Sequence, residues 1–317
     1  MTDTALIATP YPWQQEFWQV FNQQLAKEQL SHALLLTGLA GIGKQQLARA
    51  MGQRLLCQQP QQALACGACK GCHLFNAETH PDYHFVIPEP GKQIRVEEIR
   101  QLQEQLSNTA QQGGRKVVVL GPAESLNTNA ANAFLKTLEE PTRNTHIILF
   151  CHERSRVLPT ISSRCQLIKL SVPDHQLSLD WLQKFAGDRS AELLNAASGL
   201  PVRAMELLES DALEERTAIE QHLTKLREGS LGPVNCASQL ATYSLETICR
   251  LLIDSLEQQV KALVCIERNE QPHWQPKSQN HLLFREKLLD LLSRLRSGFN
   301  PNQQLALEEL LIDYSRL

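Results

Sequence analysis

No apolar run in this 317-residue chain approaches the roughly 20 residues that a membrane-spanning helix requires, so no such helix is expected within it. The N-terminal MTDTALIATPYPW has no basic stretch leading into an apolar one, so a secretory leader is not expected and a cytoplasmic location is. A marked excess of positive charge is also missing. The formal net charge is −3, with 16 Lys and Arg against 13 Asp and Glu over residues 1–170, and 15 against 21 over residues 171–317. Neither half carries the excess that binds nucleic acid by charge alone. Aromatic residues make up only 5% of the chain, and no internal repeat is present. The hydrophobic content of 42% is ordinary for a globular protein, and the length implies two or three domains.

The most informative absences lie inside a motif. Gly38-Leu39-Ala40-Gly41-Ile42-Gly43-Lys44-Gln45 matches the phosphate loop G-x-x-x-x-G-K-[ST] everywhere but the last position. Glycines let backbone N–H groups close around phosphate oxygens, and the lysine reaches the outer phosphates. The missing Ser or Thr would place a hydroxyl on Mg²⁺, a role that the longer amide of Gln45 fills poorly. A nucleotide hydrolase also needs a carboxylate at the end of a later apolar strand. The best such strand, residues 116–120, runs into Gly121-Pro122-Ala123, which offers neither a metal ligand nor a proton acceptor. Glu124, beyond the proline, is not expected to swing back. Hydrolysis by this chain is therefore not expected.

Nine cysteines are present, and five of them (Cys151, Cys165, Cys236, Cys249 and Cys265) stand singly in apolar contexts, as buried thiols do. Cys57, Cys66, Cys69 and Cys72 differ. They form C-x₈-C-x₂-C-x₂-C, and a two-residue gap lets a tight turn aim both thiolates at one ion. Four thiolates with no open position describe a closed structural Zn²⁺ site. Two disulfides, loose thiols or an iron–sulfur cluster are the alternatives, and His73, His80 or His84 could substitute as ligands, although packing roles suit those histidines better. Cys57 would end the helix that starts at the phosphate loop, and an apolar-poor insert of this length needs a staple to hold its shape.

Short apolar runs at 33–37, 83–87, 116–120, 146–151 and 166–170 alternate with helical patterns such as 45–56, 96–106 and 129–140. That alternation predicts a parallel, doubly wound sheet with right-handed crossovers, and it places the phosphate loop between a strand and a helix, as the motif requires. Beyond residue 174 the strand patterns stop. Short amphipathic helices broken at Gly187 and at 198–201 lead into helical sequence from about residue 213 to the end, with the longest periodic stretches at 246–267 and 282–295. A polar, proline-bearing connection at 268–280 separates those two. Two local features sit oddly in a self-contained domain. Glu139 and Glu140 end a helix just before Pro141, against the helix dipole, which suits either a solvated surface or a cation on a partner. Ser162-Ser163-Arg164-Cys165 projects an arginine just before the last strand.

The phosphate loop, the four-cysteine knuckle, Asn132-Ala133-Phe134-Leu135-Lys136-Thr137-Leu138-Glu139-Glu140-Pro141 and Ser163-Arg164-Cys165 occur in that order, and together they resemble bacterial clamp-loader proteins of the AAA+ superfamily. The changes at Gln45, Gly121 and Pro122 make the chain similar to the degenerate delta-prime branch of DNA polymerase III rather than to the ATP-hydrolysing gamma/tau branch. The likeness is specific over about residues 30–170, and beyond 210 it rests on helical character. It implies an α/β AAA+ P-loop domain with a five-stranded parallel sheet over residues 1–170, carrying the knuckle at 57–72. A small helical lid at 171–212 and an all-α collar at 213–317, which would join the subunits, complete the expected chain. The resemblance also implies a five-membered ring within the DNA polymerase III holoenzyme, which uses ATP to open a sliding clamp and place it on primed DNA. The implied partners are gamma/tau, delta, the clamp and primed DNA. Arg164 would reach in trans into a neighbour's ATP site, where such an arginine is worth about 10³–10⁵ in rate. Gly38, Gly41, Gly43 and Lys44 would remain as a degenerate cradle, expected to be empty. Cys151 stands where active relatives sense the γ-phosphate, and Gly199 with Arg203 resembles the remnant of a second nucleotide-reading motif. Nothing resembles a polymerase active site. Two competing readings are a working ATPase with unusual ligands, which Lys44→Ala would silence, and a zinc-dependent DNA binder, which needs more basic residues than Lys70 alone within the knuckle.

Overall fold

The computed structural model describes residues 7–89, 91–112, 114–209, 212–267, 276–296 and 299–317, without the side chains of 212–214, 257–267, 276–279 and 296. Cys265 and most of the 268–280 connection lie outside those described residues or side chains, and the next helix already begins at Pro276, inside the expected connection, because proline is tolerated in a first turn. The chain divides into two compact units, Met1–Glu206 and Leu207–Leu317.

The first unit is built on five parallel strands, β1 (Ala33–Thr37), β2 (Tyr83–Val86), β3 (Lys116–Leu120), β4 (Thr145–Cys151) and β5 (Gln166–Lys169), in the order β2-β3-β4-β1-β5. A parallel sheet is covered on both faces, which is why β1 and β3 are apolar along nearly their whole length and buried throughout. Only the edge strands β2 and β5 tolerate exposed residues. On one face, α4 (Val96–Ser107) and α5 (Thr128–Glu139) bury Ile99, Leu102, Phe134 and Leu138 against Leu35, Val118 and Leu149. On the other, α1 (Gln15–Ala26) and α2 (Lys44–Leu56) bury Phe21, Leu47 and Met51 against Leu36, Val119 and Phe150. A short α3 (Lys70–Asn76) belongs to the cysteine knuckle, and a single turn, α6 (Pro159–Ser162), precedes β5. Helices α7 (His175–Ala186), α8 (Ser190–Ala196) and α9 (Pro201–Glu209) follow, with the break at Gly187 that its sequence predicts.

Lys116 opens β3 almost fully buried, and its ammonium donates to the carbonyls of Leu106 (2.6 Å) and Asn108 (3.0 Å) and to the Thr142 hydroxyl (2.7 Å). One cation thus closes the C-terminal end of α4, where positive charge is favoured. Lys116→Met keeps the stem but removes the cation there, leaving the Asn108 carbonyl without its ammonium donor, so we expect a loss of about 2–3 kcal/mol. Urea unfolding checks this, and a change below about 0.5 kcal/mol would contradict it.

The second unit is helical: α10 (Ala212–Arg227), α11 (Pro233–Leu240), α12 (Leu245–Glu267), α13 (Pro276–Arg296) and α14 (Gln303–Tyr314). Ile219, Ile248, Leu252, Leu288, Leu307 and Leu311 form its core, and the nearly buried Arg216 is paired with Glu220 (2.8 Å) and Asp254 (3.3 Å). Among the described residues no helix is long and apolar enough to cross a membrane.

Candidate functional site

The phosphate loop connects β1 to α2, and the chain's own groups surround it. Gly43 takes φ +83°, and a side chain there would meet the Tyr11 ring at 2.3 Å. Gly41, at φ +82°, has no room either, because a Cβ would lie 2.9 Å from that of Arg203 on α9. The Val202 N–H donates to the Gly41 carbonyl at 3.0 Å. From the other side, Trp13 Nε1 donates to the Ile42 carbonyl (2.9 Å), and the buried amide of Gln14 donates to the carbonyls of Ile42 (3.0 Å) and Gly43 (3.1 Å). Tyr11 stacks on Trp13 at 4.8 Å, and Trp181 of α7 stands edge-on to both rings at 5.3 Å. Four aromatic and amide side chains, from the segment before α1 and from α7, therefore cover the loop.

Lys44 turns inward. Only 2% exposed, it donates through Nζ to the loop carbonyls of Gly38 (2.7 Å) and Leu39. Burial pushes its ammonium down to about 8, with Cys151 and Glu124 acting in the opposite sense. Cys151 ends β4 as a buried thiol that burial raises to about 11, with Glu124 adding to the shift and Lys44 opposing it. Glu124 therefore lies within electrostatic reach of the loop lysine, which corrects the expectation that it stays away. It sits in a 3₁₀ turn, Ala123–Ser125, that folds it back, and its Oε1 accepts from the N–H groups of His152 (2.8 Å) and Glu153 (3.2 Å). No local signal announces that capture, because its donors lie almost thirty residues away. At Gly121, where a hydrolase carries its metal carboxylate, a Cβ would stand 2.7 Å from the Phe150 ring. The glycine is there because the aromatic ring fills the space.

Arg164 follows α6, and its guanidinium is held within the chain. Nε donates to Glu139 Oε1 at 2.8 Å, Nη2 reaches the same oxygen, and Nη1 donates to the Thr160 carbonyl at 2.9 Å. Glu139 is thus neither merely solvated nor waiting for a foreign cation, because it meets Arg164 of its own chain.

The four cysteines converge as their spacing predicts. Their sulfurs all lie within 4.8 Å of one another, with Cys57 and Cys69 4.0 Å apart and Cys66 and Cys72 3.9 Å apart. Cys57 follows directly on α2 and Cys69 caps α3. A tetrahedral ion with bonds of about 2.3 Å sets its sulfur ligands about 3.8 Å apart, so the donor set fits one metal ion. The cysteines are free thiols, which removes the disulfide alternative. N–H groups of Cys66, Cys69, Cys72 and Gln58 point at the sulfurs of Cys57 (3.2 Å), Cys66 (3.3 Å) and Cys69 (3.4 Å from both Cys72 and Gln58). Burial pushes the Cys69 thiol up, but the N–H groups of Cys72 and Gln58 more than offset this and bring it to about 6. Burial raises Cys72 and Cys57. His80 stands aside from the cluster, buried, and its Nδ1 accepts from the Asp82 N–H at 3.1 Å.

Comparison with known proteins places the chain in a family. The family described as "DNA polymerase III, delta subunit" matches residues 13–174. The chain is 46% identical to the DNA polymerase III subunit delta' of Pseudomonas aeruginosa, over 69% of this chain and 68% of that protein. Its identity to the same subunit of Yersinia pestis is 34%, over 96% of this chain and 95% of that one. For the Escherichia coli subunit it is 38%, over 67% of this chain and 65% of that one. Among solved structures, a gamma subunit-related protein from Thermotoga maritima superposes with a TM-score of 0.53 at 19% identity, covering 94% of this chain and 98% of that one, which supports the AAA+ fold. The chain belongs to the family of DNA polymerase III delta' subunits.

Proposed function

We propose that this chain is the non-hydrolysing member of a sliding-clamp loader, and that it supplies Arg164 to the ATP site of a neighbouring ATPase subunit. The reading rests above all on the phosphate loop: Lys44 is spent on its own carbonyls, Val202 and Gln14 engage the loop backbone, and Phe150 excludes a carboxylate at position 121. An ATPase would need Lys44 on the phosphates and an acid on Mg²⁺. The partners in this reading are the gamma/tau ATPase subunits, the delta subunit and, through the assembled ring, the clamp and primed DNA. Residues 171–212 act as the lid and 213–317 as the collar that joins the subunits.

Cys57, Cys66, Cys69 and Cys72 would hold a structural zinc ion. Sulfurs this close surround a single ion rather than a cluster of several irons, and four thiolates suit zinc. When bound, the ion cross-links the end of α2 to α3 and performs no chemistry on a substrate.

One feature favours the competing reading of a working ATPase: Glu124 lies within electrostatic reach of Lys44. Its engagement by two backbone N–H groups argues against that reading. Lys44→Ala in this chain discriminates between the two. In a ring rebuilt with its ATPase and delta partners, turnover should stay within about twofold of wild type, whereas loss of a catalytic phosphate-loop lysine costs orders of magnitude. A large loss with assembly intact would make this chain an ATPase.

A further inference from the structure

Glu139 stands against its local electrostatics. It is the last residue of α5, where a carboxylate faces the negative end of the helix dipole. Such a choice persists where another interaction compensates, and violations of local preference gather at functional positions. The compensating group is Arg164, twenty-five residues later, whose Nε and Nη2 both donate to Glu139 Oε1. A guanidinium has five N–H donors fixed in one plane. Nε and one Nη2 hydrogen go to Glu139, one Nη1 hydrogen goes to the Thr160 carbonyl (2.9 Å), and the Ser163 hydroxyl lies 3.4 Å from Nη1. One Nη2 hydrogen is left over, on a side chain 35% exposed. The elements behind the pair are firm: Phe134 and Leu138 bury α5, Ile161 buries α6, and Ser163 Oγ donates to the Thr160 carbonyl at 3.1 Å.

We infer that Glu139 is a positioning residue for Arg164, fixing the guanidinium plane before a neighbour's phosphates arrive. This rests on the reading of Arg164 as acting in trans. A free arginine has many rotamers to lose when it engages, and an arginine held in one rotamer has already lost them. The opposite possibility is a latch, in which the carboxylate withholds the arginine. In that case removing Glu139 would speed the ring.

The test is clamp- and DNA-stimulated ATP hydrolysis by the ring rebuilt with its ATPase and delta partners, carrying Glu139→Ala, Glu139→Gln, Arg164→Ala or the double Ala variant. Loss of positioning should lower kcat at the neighbouring site that Arg164 completes roughly 10- to 100-fold in Glu139→Ala, with KM for ATP and ring assembly unchanged. Glu139→Gln keeps an acceptor oxygen and should recover to within a few-fold of wild type. The double variant should be no slower than Arg164→Ala alone, because the two act as one unit. Wild-type or raised turnover in Glu139→Ala while Arg164→Ala is slow overturns the positioning role and leaves the trans arginine standing. So do additive losses in the double variant, or a Glu139→Gln variant as slow as Glu139→Ala. If Arg164→Ala itself turns over normally, the trans reading falls and this inference falls with it.

Discussion

Arg164→Ala should lower hydrolysis at the neighbouring ATP site that this chain completes by about 10³-fold or more, with the ring still assembled. The side chain is half-buried and its bonds are to Glu139 and to the local turn, not to the hydrophobic core of its unit. Stability should therefore change little, since exposed ion pairs contribute about 0–1 kcal/mol. Steady-state turnover in the presence of clamp and primed DNA, read beside gel filtration of the complex, separates the possibilities. A ring whose sites fire independently would lose only the share of one site, and a concerted ring would stall almost entirely. Either fall supports a subunit that does chemistry for another without an active site of its own. Unchanged turnover would leave the chain as a scaffold or a docking element for the clamp-opening subunit.

The parts of this molecule legible from sequence are those whose physics is local. Val117, Val118 and Val119 form an apolar run that only a two-sided sheet can bury, and they lie at the centre of the sheet at 0% exposure. The glycines of the phosphate loop appear as a spaced motif because a positive φ and close contacts require them there. The four cysteines were legible for the same reason: ligand spacing is encoded within sixteen residues, and their sulfurs meet as the spacing requires. What the sequence hid is long-range. Glu124 folds back to the end of β4 because N–H groups of His152 and Glu153 capture it, and the shield of Tyr11, Trp13 and Trp181 is assembled from segments some 170 residues apart. The carboxylate at the end of α5 gave a signal, an acid against the dipole, but its partner could be found only once α6 lay beside α5. Gly121 read as a missing ligand, and the structure adds the reason, since Phe150 occupies the volume a side chain would need.

Cys69→Ser should release the metal and unfold the knuckle, with the largest stability loss of any substitution discussed above. The sulfur of Cys69 is the centre of the cluster: it accepts N–H bonds from Cys72 and Gln58, stands 4.0 Å from Cys57, and caps α3. The N–H groups of Cys72 and Gln58 that point at it favour its thiolate, the form a metal ion binds. A serine oxygen is a poorer, harder ligand with a shorter bond, so the tetrahedral set cannot close. The consequences pass into the core, because Phe75 of α3 is 1% exposed and packs against the Tyr83 ring of β2 at 4.5 Å. Loss of a structural metal belongs to the class of changes that cost about 4 kcal/mol or more. For a unit of this size each kcal/mol moves the midpoint by roughly 2–4 °C, so the first unit should melt about 10 °C lower. Elemental analysis should find about one zinc per wild-type chain and almost none in Cys69→Ser. Normal metal content in the variant would remove Cys69 from the ligand set. A metal-free wild type with the same midpoint as the metallated protein would show that the knuckle stands without its staple.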